Sequence, residues 1–434
     1  MTQQRVSVIG AGLAGCEAAY QLAECGIPVD LYEMKPNKMS PAHHSGDFCE
    51  LVCSNSLRSD RIENAVGLLK AELRELGSLV LRVADETRVP AGGALAVDRE
   101  GFSARVSEII RSHPNITIHS EEVTRVPVSP AIIATGPLTS DALAEDIARL
   151  TGEPLHFYDA AAPIVTFDSL DMTKVFRASR YGRGDDYLNC PMTREEYEAF
   201  YRALISAETA ELHAFETPRV FEGCMPVEVM AKRGEQTLCY GPLKPVGLEV
   251  DGKEPHAVVQ LRQDDKDGRL FNLVGFQTNL KFAEQRRVFG LIPGLEHAEY
   301  ARYGVMHRNT FLNAPKLLDN NYQMHSVPGL YFAGQMTGVE GYVESASSGF
   351  VAAVSLARQL LEKPAIDFTA KTAIGSLGHY VSGYVGDDFQ PMNVTFGIME
   401  SIPERIRKKT LRYAKVAERA LDTIRLLLPD VKAE

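Results

Sequence analysis

The sequence predicts an α/β fold built on a nucleotide-binding parallel sheet. Three segments carry that prediction: RVSVIGAGLAGCEAAYQLAECGIPVDLYE near the start, AIIATGP at 131–137, and GLYFAGQMTGVEGYVESASSGFVAAVSLARQL at 329–360. In the first, Val6, Val8 and Ile9 read as a short buried strand, followed by Gly10, Ala11, Gly12, Leu13, Ala14 and Gly15. The first glycine permits the tight turn, the second lets backbone approach a pyrophosphate, and the third lets the following helix pack close on the strand. Ala18, Ala19 and Leu22 continue the apolar face of that helix and Gly26 ends it. Val29 and Leu31 start a second strand that closes on Glu33, where a carboxylate can accept hydrogen bonds from ribose hydroxyls.

The other two segments decide which dinucleotide. AIIATGP is an apolar strand ending in Thr-Gly, a form that returns the chain beside the ligand. The third segment is a strand, a turn holding Gly334, Gln335 and Gly341, and a long helix kept slim by Ser345, Ala346, Ser348 and Gly349. Such a helix can aim its N-terminal N–H groups at phosphate or at the oxygen edge of a flavin. This three-segment layout resembles two-dinucleotide-binding-domain flavoproteins, which implies FAD held between the first and last segments. Gln335 stands where that motif usually carries Asp, so an amide would supply the hydrogen bond there.

A chain of 434 residues is too long for one core. The expected division is a Rossmann-like FAD-binding domain in two parts, 1–155 and 316–434, around an inserted α+β substrate domain at 156–315. Short strands in AAPIVTF, CYGPL and AVVQLR, and a helix in TREEYEAFYRALISAE, are expected in the insert; KDGRLFNLVGFQTNLKFAEQRRVF reads as a strand passing into a basic-edged helix. No apolar run approaches a membrane span, the first residues enter a strand at once, and seven scattered cysteines make no disulfide framework. A cytoplasmic enzyme with reduced thiols is the expectation. The net charge of −11 argues mildly against a polyanionic partner. Against it stands a basic run at Arg405, Arg407, Lys408, Lys409, Arg412, Lys415 and Arg419, within about four helical turns. By itself such a run reads as a solvated helix face. The closing helix is expected over 402–428, with Ile406, Leu411, Val416 and Leu421 on its apolar side.

In FCELVCSNSLRSD, Cys49 and Cys53 stand at helical spacing. Zinc could draw on His43, His44, Cys49 and Cys53, but adjacent histidines diverge and the cysteine spacing is no knuckle, so no metal is expected. A redox dithiol is the main rival. Flavin disulfide reductases, however, separate their two cysteines by four residues rather than three, and carry a second glycine fingerprint that is missing here. In the third reading one cysteine acts beside the cofactor: Cys53 precedes Ser54, Asn55 and Ser56, which could cap a new helix and present N–H donors to a thiolate. Cys224, in the turn Gly-Cys-Met-Pro ahead of Glu228, is a second candidate; Cys16, Cys25, Cys190 and Cys239 read as structural.

At this point the sequence as a whole resembles a known family. PAHHSGDFCELVCSNSLRSD, VPAGGALAVDREGF, FYDAAAPIV, YLNCPMT, FEGCMPVEVMA, YGPLKPVGL, NLVGFQTNLKF, HRNTFLNAP and GQMTGVEGYVESASSG together are similar to the bacterial folate- and FAD-dependent tRNA (uracil-5-)-methyltransferases, the TrmFO family. The related GidA or MnmG enzymes share the flavin motifs and are longer. The resemblance implies methylation of carbon 5 of the T-loop uridine of tRNA. Methylenetetrahydrofolate would supply the carbon, reduced FAD would carry it with the electrons, and NADH or NADPH would re-reduce the flavin. It also implies functional cysteines at Cys53 and Cys224. Cys224 is assigned as the thiolate that adds to uracil C6 and Cys53 as the thiol near flavin N5, with the exchange of these roles open. His307 is the residue expected to stack on the folate pterin, with a loop-holding role as its alternative. With a tRNA substrate implied, Arg286, Arg287, Lys408 and Lys409 become candidates for phosphate contact. Oligomeric state is not readable.

Overall fold

The computed structural model describes residues 4–40, 42–152, 155–210, 225–250, 252–386 and 389–431, with backbone only at 155–159 and 307–310. A five-stranded parallel sheet holds, in spatial order, Leu330–Phe332, Ala131–Ile133, Val6–Ile9, Val29–Tyr32 and Ile116–His119. The three segments that predicted the fold therefore lie side by side, although more than 300 residues of sequence separate the first strand from the last. Every residue of Ala131–Ile133 and Leu330–Phe332 is buried, as expected for strands covered on both faces. Strand order reverses at Val6–Ile9, where the chain goes first to Val29–Tyr32 on one side and later to Ala131–Ile133 on the other. In open parallel sheets the crevice beyond the carboxyl ends of two such strands is the usual ligand site.

Two helices close that crevice from one side. Helix Leu13–Glu24 follows the glycine loop, and helix Tyr342–Leu360 packs along it. Backbone contact sets their spacing, for a Cβ on Gly349 would lie 2.1 Å from the Ala14 carbonyl oxygen. One on Gly15 would lie 1.8 Å from the Gly10 carbonyl oxygen, so the first helix also sits directly on the glycine loop.

The insert is a six-stranded antiparallel sheet in the order Phe176–Arg177, Tyr187–Met192, Ala257–Gln263, Leu270–Leu273, Ile164–Thr166 and Tyr300–Arg302. Helix Arg194–Ile205 starts at a Thr193–Glu196 capping box and turns Tyr197, Phe200 and Leu204 into a core of the insert's own, separate from that of the parallel sheet.

Several local expectations differ from the structure. CYGPL is no strand, because Thr237–Tyr240 is a short helix stopped at Gly241. No helix follows Cys53. Ser56–Ser59 is a strand, and the Ser54 and Ser56 hydroxyls accept the N–H groups of Ser56 and Arg58 instead of capping a helix. The last helix runs Lys409–Val431, so Leu411 falls in its first turn and is exposed, while Val416 is buried. Among the described residues, no helix is long and apolar enough to cross a membrane.

Gly349→Ala is expected to force the two helices apart and lower stability by about 1–3 kcal/mol, the usual cost of overpacking. Thermal unfolding of the purified variant checks this.

Candidate functional site

A cleft of about 1110 Å³, open mouth included, lies beyond the carboxyl ends of Val6–Ile9 and Ala131–Ile133. The loop Gly10–Ala14 forms its floor, Glu33 and Lys35 one wall, Thr135 and Gly136 another, and Gly334 and Gln335 the far side. Helix Leu13–Glu24 begins at Gly12 without a side-chain cap, so its N-terminal end faces the cleft bare. A Cβ on Gly12 would meet no atom within 4 Å, whereas one on Gly10 would lie 2.7 Å from the Ala134 carbonyl oxygen. Gly12 thus keeps space open above the helix end, as a pyrophosphate requires, and Gly10 and Gly15 serve close packing.

Glu33 is fixed by the protein itself, accepting from the Ala11 N–H at 2.8 Å and the Lys35 N–H at 3.0 Å. Gln335 donates from its amide to Glu340 at 2.6 Å while lining the cleft. Gly341 caps helix Tyr342–Leu360 with φ 116° and faces Glu344 and Arg58, where a Cβ would lie 2.3 Å from a Glu344 carboxylate oxygen. His43 also lines the cleft. Burial, with Lys35 next in effect, pushes its imidazole down to about 4, so the ring is neutral at neutral pH.

Cys49 and Cys53 do not share a helical turn. Cys49 takes a left-handed conformation (φ 52°), is buried, donates its N–H to the Ala11 carbonyl at 2.9 Å, and lies beside Cys16 under the glycine loop. Cys53 is half-buried, with Sγ 3.8 Å from the Ala160 carbonyl oxygen at the edge of the insert. Among the described residues no group of histidine, cysteine and carboxylate side chains could hold a metal ion.

The segment bearing Cys53 is clamped from both domains. Tyr342, which also lines the cleft, accepts the Cys53 N–H at 2.8 Å and the Ser54 N–H at 3.1 Å on its hydroxyl. Burial raises the Tyr342 pKa, so the hydroxyl stays protonated. From the insert, Arg262 donates to Ser54 Oγ at 2.7 Å and Asn55 Oδ1 at 3.1 Å. Asn55 donates in turn to the Val97 and Gln263 carbonyls, both at 2.9 Å. Arg99 grips Asp264 through two 2.9 Å bonds and reaches the Leu51 carbonyl. Arg99, Arg262 and Arg302 all lie within electrostatic reach of the Cys53 thiol. None of Tyr342, Arg99, Arg262 or Arg302 was singled out from sequence. The one available signal was Arg262, a charge inside the apolar strand AVVQLRQ.

His307 belongs to strand Met306–Phe311, which pairs antiparallel with Leu155–Ala160; its neighbour Met306 is in register with Ala160, the residue that Cys53 touches. Cys224 lies outside the described residues. Arg286 and Arg287 sit on helix Phe282–Phe289, Arg286 over the Tyr303 ring and Arg287 paired with Glu284. Lys408 and Lys409 are exposed at the start of the last helix, while Arg419 of the same basic run is half-buried and donates to the Glu400 carbonyl at 2.7 Å.

Sheet, glycine loop and cleft define a dinucleotide-binding α/β protein. Residues 5–364 match the family described as Glucose inhibited division protein A. The solved GidA of Aquifex aeolicus (form II crystal) superposes with a TM-score of 0.70 at 16% identity, covering 98% of this chain and 73% of that one, which bears out the Rossmann-like fold. Proteins named methylenetetrahydrofolate--tRNA-(uracil-5-)-methyltransferase TrmFO are far more similar. The one from Listeria welshimeri is 59% identical over 433 residues, 99% of this chain and 100% of that one. Those from Acetivibrio thermocellus and Bacillus subtilis are 61% and 58% identical over 426 and 431 residues, each covering at least 97% of this chain and 98% of its own. The chain belongs to this TrmFO family.

Two glycine substitutions should separate ligand space from packing. Gly12→Leu is expected to abolish retention of a bound dinucleotide while leaving the melting temperature near that of the wild-type apoprotein. Gly15→Ala is expected to lower stability itself. Absorbance of the purified protein above 400 nm, read beside its melting curve, distinguishes the two.

Proposed function

We infer that this chain methylates carbon 5 of the T-loop uridine in tRNA, using methylenetetrahydrofolate as carbon source and FAD in the cleft between the glycine loop and Gly334. Near-60% identity across the whole chain to relatives bearing that activity in their name carries the reading. The cleft suits FAD because an open, uncapped helix end waits for a pyrophosphate and Glu33 is already oriented at the ribose position. Bound there, the flavin supplies the two electrons that turn a methylene into a methyl group, with NADH or NADPH as the source of reducing power.

The protein's part is to activate the uracil. A thiolate adds to C6, its electron pair forms the S–C6 bond, and the C5–C6 π pair moves onto C5 and the C4 oxygen. C5 then bonds the one-carbon unit and loses its proton, and the C–H electron pair expels the carrier nitrogen to leave an exocyclic methylene. A hydride equivalent, for which the reduced cofactor would be the source, completes the methyl group as the S–C6 bond breaks and the thiolate leaves. We assign the addition to Cys224 and a place beside the flavin to Cys53. The position of the chain after Cys224 supports this pairing. Val227 donates to the Gln277 carbonyl at 2.7 Å, and Thr278 donates to the carbonyl of Ala161, next to the Ala160 that Cys53 touches. Val227 is three positions after Cys224, a reach of at most about 10 Å. His307, on the strand beside Ala160, is assigned to the pterin, and Arg286, Arg287, Lys408 and Lys409 to tRNA phosphates.

A thiol–disulfide oxidoreductase would need Cys49 and Cys53 to meet, and Cys49 instead lies beside Cys16. The purified protein, NAD(P)H, methylenetetrahydrofolate labelled at the methylene carbon and T-loop-unmodified tRNA should yield labelled 5-methyluridine. Cys53→Ala and Cys224→Ala should each lose at least about 100-fold in rate, and Cys49→Ala should keep activity. A protein that loses activity with Cys49 but not with Cys224 would contradict the assignment.

A further inference from the structure

Of the three guanidinium groups around Cys53, two are held by the protein through hydrogen bonds of 3.1 Å or less. Arg99 is held by Asp264 and the Leu51 carbonyl, and Arg262 by Ser54 and Asn55. Arg302 differs. Its only hydrogen bond among the described residues is a long one, Nη2 to the Ala42 carbonyl at 3.5 Å, and its buried Nε has no partner there. A buried guanidinium N–H left unpaired is costly, so it calls for an acceptor that arrives with a ligand. The backbone is shaped to put it there. Tyr300 and Arg302 are in register with the consecutive residues Val165 and Ile164, so one extra residue bulges out at Ala301 and re-aims the Arg302 side chain.

Arg302 lines a second cleft, of about 2810 Å³, which meets the dinucleotide cleft at Glu50. It lies beside Ala42 on one side and within electrostatic reach of Cys53 and Tyr342 on the other. We propose that Arg302 donates to the C4 oxygen of the target uracil and holds the negative charge that develops there when the thiolate adds to C6. This rests on the methyltransferase reading. Reacting atoms must approach to about 3–3.5 Å, so C5 has to stand next to the cofactor's one-carbon unit. The C4 oxygen is two bonds from C5 and must then lie at the junction of the two clefts, where Arg302 stands.

The surroundings favour a carbonyl over a permanent anion. Even with Asp264 paired to Arg99, carboxylates such as Glu50, Asp98 and Asp168 leave the cleft lining with more acidic than basic side chains, which disfavours a folate carboxylate. A neutral carbonyl that gains charge only as the S–C6 bond forms fits there, and a preorganised donor is most effective on charge of that kind.

The test uses the full-length flavin-loaded protein and a T-arm hairpin RNA carrying 5-fluorouridine at the target position, which traps the C6 adduct because fluorine cannot leave as the C5 proton does. Adduct formation is followed on denaturing gels for wild type, Arg302→Gln and Arg302→Lys. Flavin absorbance, melting temperature and affinity for the unfluorinated hairpin are measured alongside. Arg302→Gln should slow adduct formation by about 10²–10³-fold, the effect of losing one oxyanion donor, with affinity and flavin content close to wild type. Arg302→Lys, which keeps the charge, should recover part of the rate. Adduct formation at the wild-type rate in Arg302→Gln, with methylation lost only through a raised KM for methylenetetrahydrofolate, overturns the proposal and gives Arg302 to the folate. Loss of flavin or of stability in both variants also overturns it. A wild-type protein that forms neither adduct nor 5-methyluridine overturns the functional reading itself.

Discussion

The site depends on one short clamp, the hydrogen bonds that hold Cys53, Ser54 and Asn55 between two separately cored domains. The Tyr342 hydroxyl takes two consecutive backbone N–H groups from the flavin side, and Arg262 takes the Ser54 and Asn55 side chains from the insert. Asn55 is completely buried and gives both its amide protons to carbonyls, one in each domain. Because the segment is tied to both bodies, the position of its thiol is fixed relative to the dinucleotide cleft and to the insert's edge together. A thiol carried by only one domain would move with every small hinge displacement of the other.

The clamp also explains why so many arginines are buried here. A buried guanidinium is stable only when its donors are matched, and in Arg99 and Arg262 the matching partners are the backbone and side chains that fix the loop. Charge and position therefore come from the same residues. The like-charge repulsion among three arginines near one thiol is offset by Asp264 on Arg99 and by Glu50 near Arg302. Binding an electron-rich ring in this junction would use attraction that the folded chain already maintains.

How legible this was in the sequence depends on the range of each constraint. The glycine loop was readable residue by residue, because Gly10, Gly12 and Gly15 answer to steric demands within a few residues or from the next strand. The long slim helix was readable for the same reason, Gly349 lying directly on Ala14. The arrangement around Cys53 was not. Its partners are 289 residues away at Tyr342 and 208 away at Arg262; nothing in TGVEGYVES marks Tyr342, and the charge inside AVVQLRQ marks Arg262 without showing what it holds. The helix expected after Cys53 failed because Ser54 and Ser56 bond to the backbone two residues on, which favours an extended turn. Cys49 and Cys53 looked like neighbours only on the assumption of that helix. The apolar stripe misled because the helix begins only at Lys409, which leaves Ile406 ahead of it and Leu411 in an exposed first turn.

The central claim is that both domains position a single reactive segment, and a double-mutant cycle on the clamp tests it most directly. Tyr342→Phe and Arg262→Met would be made singly and together, and single-turnover methylation of tRNA measured for each, with flavin content confirmed. If the two side chains hold the same segment, each change alone should slow transfer and the double variant should be little slower than the worse single one. Rate losses that multiply independently would mean that Tyr342 and Arg262 serve unrelated parts of the site, and the account of a shared clamp would not stand.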